Sequence, residues 1–585
     1  MAALVDLRPR PELVNPAFDH YQLSLDTVPV YETPLHKSLD VAKPSETSFS
    51  SHHAKLFSLH NSLFPDPWDQ ASVYFCDREW NIAKVFLTKG GKPELSDPLL
   101  QLPDAANLRL KPGRFNVTLS FPSNSLAVVV NGVDTLYLLD TDDRHKLGRW
   151  KTLFSATVPV AGQAAILVDS VRWTHGENHR LECLLASVEE VEGEIKEKHR
   201  SPWITVLTWA SLLSVDGKSW SMERTRRLEG SHPVEYASVE RKGECIHVVS
   251  ASEFRMVEDT LKPVNAERSD LADDVARYLY TWSQSCSQVC LQVTIPEGLT
   301  KPSLSVDISG SRLELVVKNG LEMIKGNLYA RVEVDSSTWT LDGRMLEVTL
   351  HKVEPVMWPT VILGDSRGQL LATADQIEVI HERLAHLTSE DWNPTPDVKE
   401  KPYNCQMLEE CDAVDEAVII TRIDGDTHTT THKVVSGNQF LFSVATDPDN
   451  VPTICLRHDV DAFLWQASRT ITADKCPWEH IGVLNAIGYV IASKQQRRFC
   501  TCSPNMSVAV IAESQRHIYL YRQKVTVTTP LRNRKTGQQV SNVAKQQVLA
   551  LECSPDVILG LRVTNSKIFI ATEQKVLIYV MSPDI

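Results

Sequence analysis

No run of about 18 apolar residues, the least that crosses a membrane as a helix, occurs in the 585-residue sequence. The opening MAALVDLRPRPEL has no apolar core and reaches proline at residue 9, which is not the pattern of an export signal. Basic charge is short as well: 60 Lys and Arg stand against 74 Asp and Glu, a formal net charge of −14. A nucleic-acid backbone calls for a basic face, so it is disfavoured as the main partner. The two short basic stretches, KQQRRF (494–499) and RNRK (532–535), read as solvated turns. The 12 cysteines include no CxxC pair. Cys286 and Cys290, Cys405 and Cys411, and Cys500 and Cys502 have the wrong spacing for zinc, and scattered thiols fit a reducing compartment. The expected location is therefore the cytoplasm, the nucleus or both.

Catalytic signatures are missing too. There is no glycine-rich phosphate loop, no GxSxG elbow and no HExxH helix, so no cofactor, metal or catalytic residue is expected. Three constellations invite a closer look. His428 and His432 lie four apart in THTTTHK, which the threonine pattern makes a strand. His458, Asp459 and Asp461 in LRHDVDAFLW suit acid–base or cation chemistry, but equally a polar turn whose aspartates cap backbone amides. The second reading is preferred. Paired carboxylates at Glu189-Glu190 and Glu409-Glu410 read as solvated faces or helix ends.

What the sequence does have is short apolar runs punctuated by glycine and proline, the mark of strands. SVYFCDREWNIAKVFL (72–87), SLAVVVNGVDTLYLLD (125–140), SVAVIAESQRHIYLYR (507–522) and SKIFIATEQKVLIYVM (566–581) share one layout: strand, polar turn, strand. GECIHVVSASEFRMVE (243–258) reads as a weaker copy. Repeated hairpins of this kind predict the blades of a β-propeller, although no GH…WD pair marks each one. Because copies lie both before residue 260 and after residue 500, the two sets are expected to close one ring. Two partial rings would each leave sheet edges open.

Between the two sets the pattern changes. Val289, Leu291, Val293 and Ile295 alternate with polar residues, as do Leu313, Leu315 and Val317, and Leu346, Val348 and Leu350. Such runs predict an antiparallel sandwich with one buried face per strand. Beyond it, Ile377, Ile380, Leu384 and Leu387 are spaced as a helix, followed by the linker NPTPDVKEKPYN (393–404). The expected organisation is mostly all-β: an extended segment at 1–50, propeller parts at 51–270 and 405–585, a sandwich at 272–365, and a helix with linker at 372–404.

The middle region carries YTWSQ (280–284), VTIPEGLTKPSLSVDI (293–308), LELVVKNG (313–320), KGNLYARVEVDSSTWTL (325–341), LEVTLHK (346–352) and Trp358. In this order the motifs resemble a CS domain of the NudC branch, and LTSEDWNPTPD (387–397) with LRHDVDAFLWQ (456–466) extends the resemblance to the whole chain. One departure is Asn327, which stands between Gly326 and Leu328 in the family's Gly-Leu-Tyr turn. The resemblance implies a non-catalytic co-chaperone or adaptor that binds chaperones of the ninety-kilodalton heat-shock class, or propeller-containing clients. The propeller would then add a second protein-binding surface. The alternative is a propeller hydrolase or metal enzyme, whose channel should gather acids or histidines in register; the aligned hairpins show none. Trp339 is expected in the sandwich core, while Trp358 is assigned either to the core or to a partly exposed ring. Trp358, Tyr329 and Lys352 are the candidate partner-binding residues.

Overall fold

The computed structural model describes residues 3–158, 164–192, 201–264, 280–295, 301–317, 322–342, 345–354, 358–363, 368–370, 418–532, 539–551 and 557–581, less 16–17, 19, 47, 89, 177, 286, 359, 473–474 and 495. The expected helix and linker at 372–404 lie outside them. The chain falls into two compact units: Met1–Asn265 with Glu390–Ile585, and Ala266–Ser389.

In the first unit, the described residues form seven sheets of four or five strands, antiparallel except where Ala3–Leu4 and Gln22–Leu23 add a parallel outer strand. Sheets one and two take residues 64–101 and 118–157, and sheet three 165–230 with 255–259; sheets five, six and seven take 440–484, 497–550 and 560–580. Shared apolar layers join the first sheet to the second, the second to the third, the third to the fourth, the fourth to the fifth and the sixth to the seventh. Val129 of the second sheet meets Tyr74 of the first, and Val128 meets Leu185 of the third. Because blades are covered on both faces, their strands are apolar at consecutive positions, not at alternate ones. Leu126–Val130, LAVVV, is buried throughout. The ring closes where Phe569 and Ile578 of the seventh sheet pack on Val73 and Val85 of the first.

The fourth sheet joins the two chain segments. Val234–Val239 and Cys245–Ser250 come from before the insertion, and Val418–Asp424 and Thr430–Ser436 from after it. They pair edge to edge, Cys245 opposite Asp424 and Ser250 opposite Ile419. The weaker hairpin copy at 243–258 is therefore not a hairpin: Arg255–Asp259 leaves for the outer edge of the third sheet, beside Ser221–Gly230. The N-terminal segment is also more than an extended lead. Ala3–Leu4, Gln22–Leu23 and Val30–Pro34 add outer strands to the fourth, sixth and seventh sheets in turn.

An ion pair spans the joint. Arg422, after the insertion, donates to both carboxylate oxygens of Glu240, before it, at 2.6 and 2.9 Å, and His247 Nε2 lies 2.9 Å from the same carboxylate. Burial alone raises the Glu240 pKa, but the His247 and Arg422 hydrogen bonds outweigh it and bring it down to about 2. A carboxyl held below its unfolded value adds stability above pH ~4.5, and that stability is lost as pH falls through about 2. The contribution is on the order of 3 kcal/mol at most. Wild type should therefore unfold at higher urea than Glu240→Gln at pH 7, with the gap narrowing below pH ~4.5 as the carboxylate of the unfolded chain takes up protons while the native one stays charged. A gap that stays constant down to pH ~2.5 contradicts the assignment.

The second unit is a sandwich. Strands Tyr280–Gln284, Gln288–Thr294, Met345–Lys352, Val332–Asp342 and Gly368–Leu370 form one sheet; Leu304–Ser309, Arg312–Val317 and Glu322–Asn327 form the other. The residues of the three alternating runs are buried, from Val289 to Ile295, Leu313 to Val317 and Leu346 to Leu350 at alternate positions. Cys290, out of phase with them, sits half-buried on the opposite face.

Candidate interaction surfaces and relatives

The structure corrects the expectation for Trp339 and decides between the two readings of Trp358. Trp358 is 1% exposed and belongs to the sandwich core, whereas Trp339 is only half-buried, with Lys301 Nζ 4.7 Å from its ring centroid. Strand position explains the difference. Trp339 stands opposite Val348 on the edge strand Val332–Asp342, which breaks register between Glu333 and Thr338 and so presents its rings to solvent on one side. Trp358 lies past the last long strand, where the chain folds back over the end of the sandwich.

Trp358 is held there by Gln284, the last residue of YTWSQ. The Trp358 backbone N–H donates to Gln284 Oε1 at 2.8 Å, and Gln284 Nε2 donates to the Trp358 carbonyl at 2.8 Å. Lys352 Nζ donates to the same Gln284 Oε1 and to the Ser285 carbonyl, each at 2.8 Å, and lies 5.6 Å from the Trp358 ring centroid. Tyr329 completes the group, its ring centroid 6.1 Å from that of Trp358 at an interplanar angle of 51°. The structure thus brings the three candidate residues together, but gives them different exposure. Trp358 and Lys352 are buried; Tyr329 is 42% exposed. Of the two readings of Trp358, core or partly exposed ring, the structure shows the core.

Tyr329 has exposed apolar company that sequence spacing does not reveal. Its backbone N–H donates to the Val361 carbonyl at 3.0 Å, Leu363 N–H to Asn327 at 2.8 Å, and Val353 N–H to Arg331 at 3.1 Å. These bonds set Val353 and Leu363, both exposed, on either side of the 327–331 segment. Gly326 makes the approach possible: a Cβ there would stand 2.3 Å from Ile362 Cγ2. Asn327 stays within the strand Glu322–Asn327, and Leu328 bridges Ile362, so the extra residue leaves the turn intact.

In the ring, a cavity of about 430 Å³ opens among the inner strands of six sheets. Two carboxylates line it, and both are engaged. Asp66 takes a two-pronged ion pair from Arg144 at 2.7 and 3.0 Å; Asp69 accepts from Lys84 at 3.2 Å and from the Ser72 hydroxyl at 2.7 Å. Burial alone raises the Asp69 pKa, but Ser72, the Ala71 amide and Lys84 together bring it below the usual carboxylate range. Burial pushes the Cys500 thiol up to about 12, far from a reactive thiolate.

The other constellations resolve locally. Asp461 caps the Ala486 amide at 2.6 Å and His458 stacks on Phe463 at 4.2 Å, so this stretch is the polar turn preferred above. His428 is not in the strand with His432 but in the turn before it, where its Nε2 lies 2.6 Å from Asp259; His432 Nε2 reaches the Thr472 carbonyl. Glu189 is no solvated face: Arg227 grips both its oxygens at 2.7 and 2.8 Å. Among the described residues, no cluster of three metal-ligating side chains occurs.

The CS domain family matches residues 278–352, the strands of the sandwich. Over 98% of its length the chain is 35% identical to mouse NudC domain-containing protein 1, covering 97% of that protein. The chain belongs to the NudC domain-containing protein 1 family. The Xenopus tropicalis relative of the same name is 34% identical over 97% of both chains. The Schizosaccharomyces pombe nuclear movement protein nudc is 25% identical over 114 residues, 19% of this chain and 67% of that protein. The first two matches span the residues of both units, and the third matches only part of the chain.

Proposed function

We propose that the protein is a non-catalytic co-chaperone or adaptor of the cytoplasm and nucleus, binding chaperone or client proteins through the sandwich and further proteins through the ring. The observation that carries this reading is the full-length match to a NudC-type family together with the CS match at 278–352. The Tyr329–Val353–Leu363 rim is the surface offered for binding, since apolar and aromatic side chains anchor protein interfaces. Trp358 and Lys352 support that rim from beneath. The hydrolase alternative finds no favouring observation: the two acids in the channel are each committed to a cation.

The test is affinity capture with cross-linking, comparing the full chain with one in which residues 266–389 are replaced by a flexible linker. The expected result is loss of one set of cross-linked proteins, including heat-shock chaperones or propeller clients, and retention of another. An unchanged set overturns the role given to the sandwich.

A further inference from the structure

The basic stretch KQQRRF, expected as a solvated turn, contributes instead to the innermost strand of the sixth sheet, Arg497–Cys502. Arg498 lies on it. The neighbouring inner strand, Gly560–Val563 of the seventh sheet, carries Arg562, which lines the channel. Both arginines act on His60, whose pKa is brought down to about 3 by burial first and then by the charges of Arg498, Arg562 and Arg114. The Arg498 guanidinium carbon lies 5.4 Å from the ring centroid of Phe499, and Phe499 lines the channel together with Arg562.

Their partners set Arg498 and Arg562 apart. The buried arginines Arg114, Arg144, Arg224 and Arg226 each face a carboxylate, at 2.5 to 3.8 Å. Arg562 has no carboxylate facing it among the described residues. Its Nε donates to the Leu63 carbonyl at 2.6 Å, which fixes the plane of the guanidinium. Burial alone lowers its pKa to about 10, with no acid acting in the opposite direction. Arg498, which is exposed, likewise makes no ion pair among the described residues. In a chain with a net charge of −14, one uncompensated guanidinium in the channel wall and a second beside the wall residue Phe499 are a local reversal of charge.

We propose that Arg562 and Arg498 form an anion site at the ring's channel, which receives carboxylate side chains from a short acidic segment of a partner protein. The guanidinium fork matches a carboxylate in two parallel hydrogen bonds. The cavity volume of about 430 Å³ admits a short segment and no folded domain. Its walls suit an extended chain: Pro65, Pro67, Pro448, Pro452 and Pro504 line it with Phe499, giving apolar surface without competing backbone donors. A polyanion such as nucleic acid is repelled by the overall negative charge, whereas two or three carboxylates brought on a peptide are not barred from the site. The inference rests on the reading of the ring as a protein-binding surface. Its failure leaves that reading intact, because the other faces of the ring remain available to partners.

The experiment measures fluorescence anisotropy of the full chain with rhodamine-labelled tetraglutamate and tetraglutamine, with inorganic phosphate as competitor. Tetraglutamate is expected to bind at least about tenfold more tightly than tetraglutamine, a difference that narrows in high salt. Arg498→Ala and Arg562→Met should each weaken tetraglutamate binding by at least about tenfold, the size of one lost charge-assisted pair. Arg498 is exposed, so its variant is expected to melt like wild type and separates loss of binding from loss of fold. No binding of tetraglutamate at millimolar concentration, equal binding of both peptides, or unchanged binding by both variants overturns the proposal. Phosphate displacing the peptide at lower concentration than free glutamate does also overturns it, in favour of a phosphate site.

Discussion

Expressed separately, residues 1–265 and residues 390–585 should both be insoluble or chaperone-bound; expressed together as two chains, they should co-elute. The fourth blade decides this. Its strand Cys245–Ser250 finds its partner, Val418–Asp424, only on the other segment. Without that partner, Ile246 and Val248 lose the cover of Ile423, and Val249 loses that of Ile420 and Ile454. The N-terminal segment makes the dependence mutual. Its strands Gln22–Leu23 and Val30–Pro34 belong to blades built wholly from the other half, so each half carries edges the other completes. Unpaired edges of this composition associate with whatever strand is available. Closure brings further losses on separation, since Phe569 and Ile578 cover Val73 and Val85 across the two segments. A soluble half that unfolds cooperatively by itself would show that the chain holds two independent β domains in place of one ring.

Trp358→Ala should unfold the sandwich, whereas Trp339→Ala should leave it folded. Truncating a buried tryptophan costs roughly 3–5 kcal/mol, about the whole stability of a small domain. At Trp358 that loss is compounded. Gln284 bonds to both the Trp358 N–H and its carbonyl, and Lys352 depends on the same Gln284 oxygen, so a collapsed loop strands a buried ammonium. Trp339 contributes partly exposed packing and a contact with Lys301, worth about 1 kcal/mol. The measurement is denaturant unfolding of residues 266–389, which should fold alone because the sandwich core draws only on its own strands. Equal midpoints for the two variants contradict this division of roles, and random-coil amide dispersion in the unmutated fragment contradicts its independence.

The sandwich was legible because its strands have one wet face. Leu313, Leu315 and Val317 stand out at every second position, and the family motif lies on those strands. The ring was legible only where its hairpins are short. Strands 126–130 and 135–140 stand out as two apolar runs with a turn between. The third blade hides because Asn178–Glu190 and Trp203–Ser214 are long and place Glu182 among apolar neighbours. That carboxylate is buried, bonded by Trp209 Nε1 at 2.8 Å and by the Ser211 hydroxyl at 2.5 Å, which no pattern of apolar residues announces. The fourth blade hides for another reason: its two inner and two outer strands are about 170 residues apart, and no local turn marks the pairing. Exposure at the candidate site was likewise illegible. Trp339 and Trp358 differ in burial through the edge position of one strand and a glutamine 74 residues away.

Tyr329→Glu in the full chain tests the account most directly, because it changes the proposed rim and leaves the core beneath it alone. The side chain is 42% exposed and supplies only its backbone N–H to the hydrogen bond with Val361. The measurement pairs the unfolding midpoint of the variant with its cross-linked partners. The account predicts an unfolding midpoint within about 0.5 kcal/mol of wild type and loss of the same partners that disappear when residues 266–389 are removed. A folded variant that keeps every sandwich-dependent partner contradicts it.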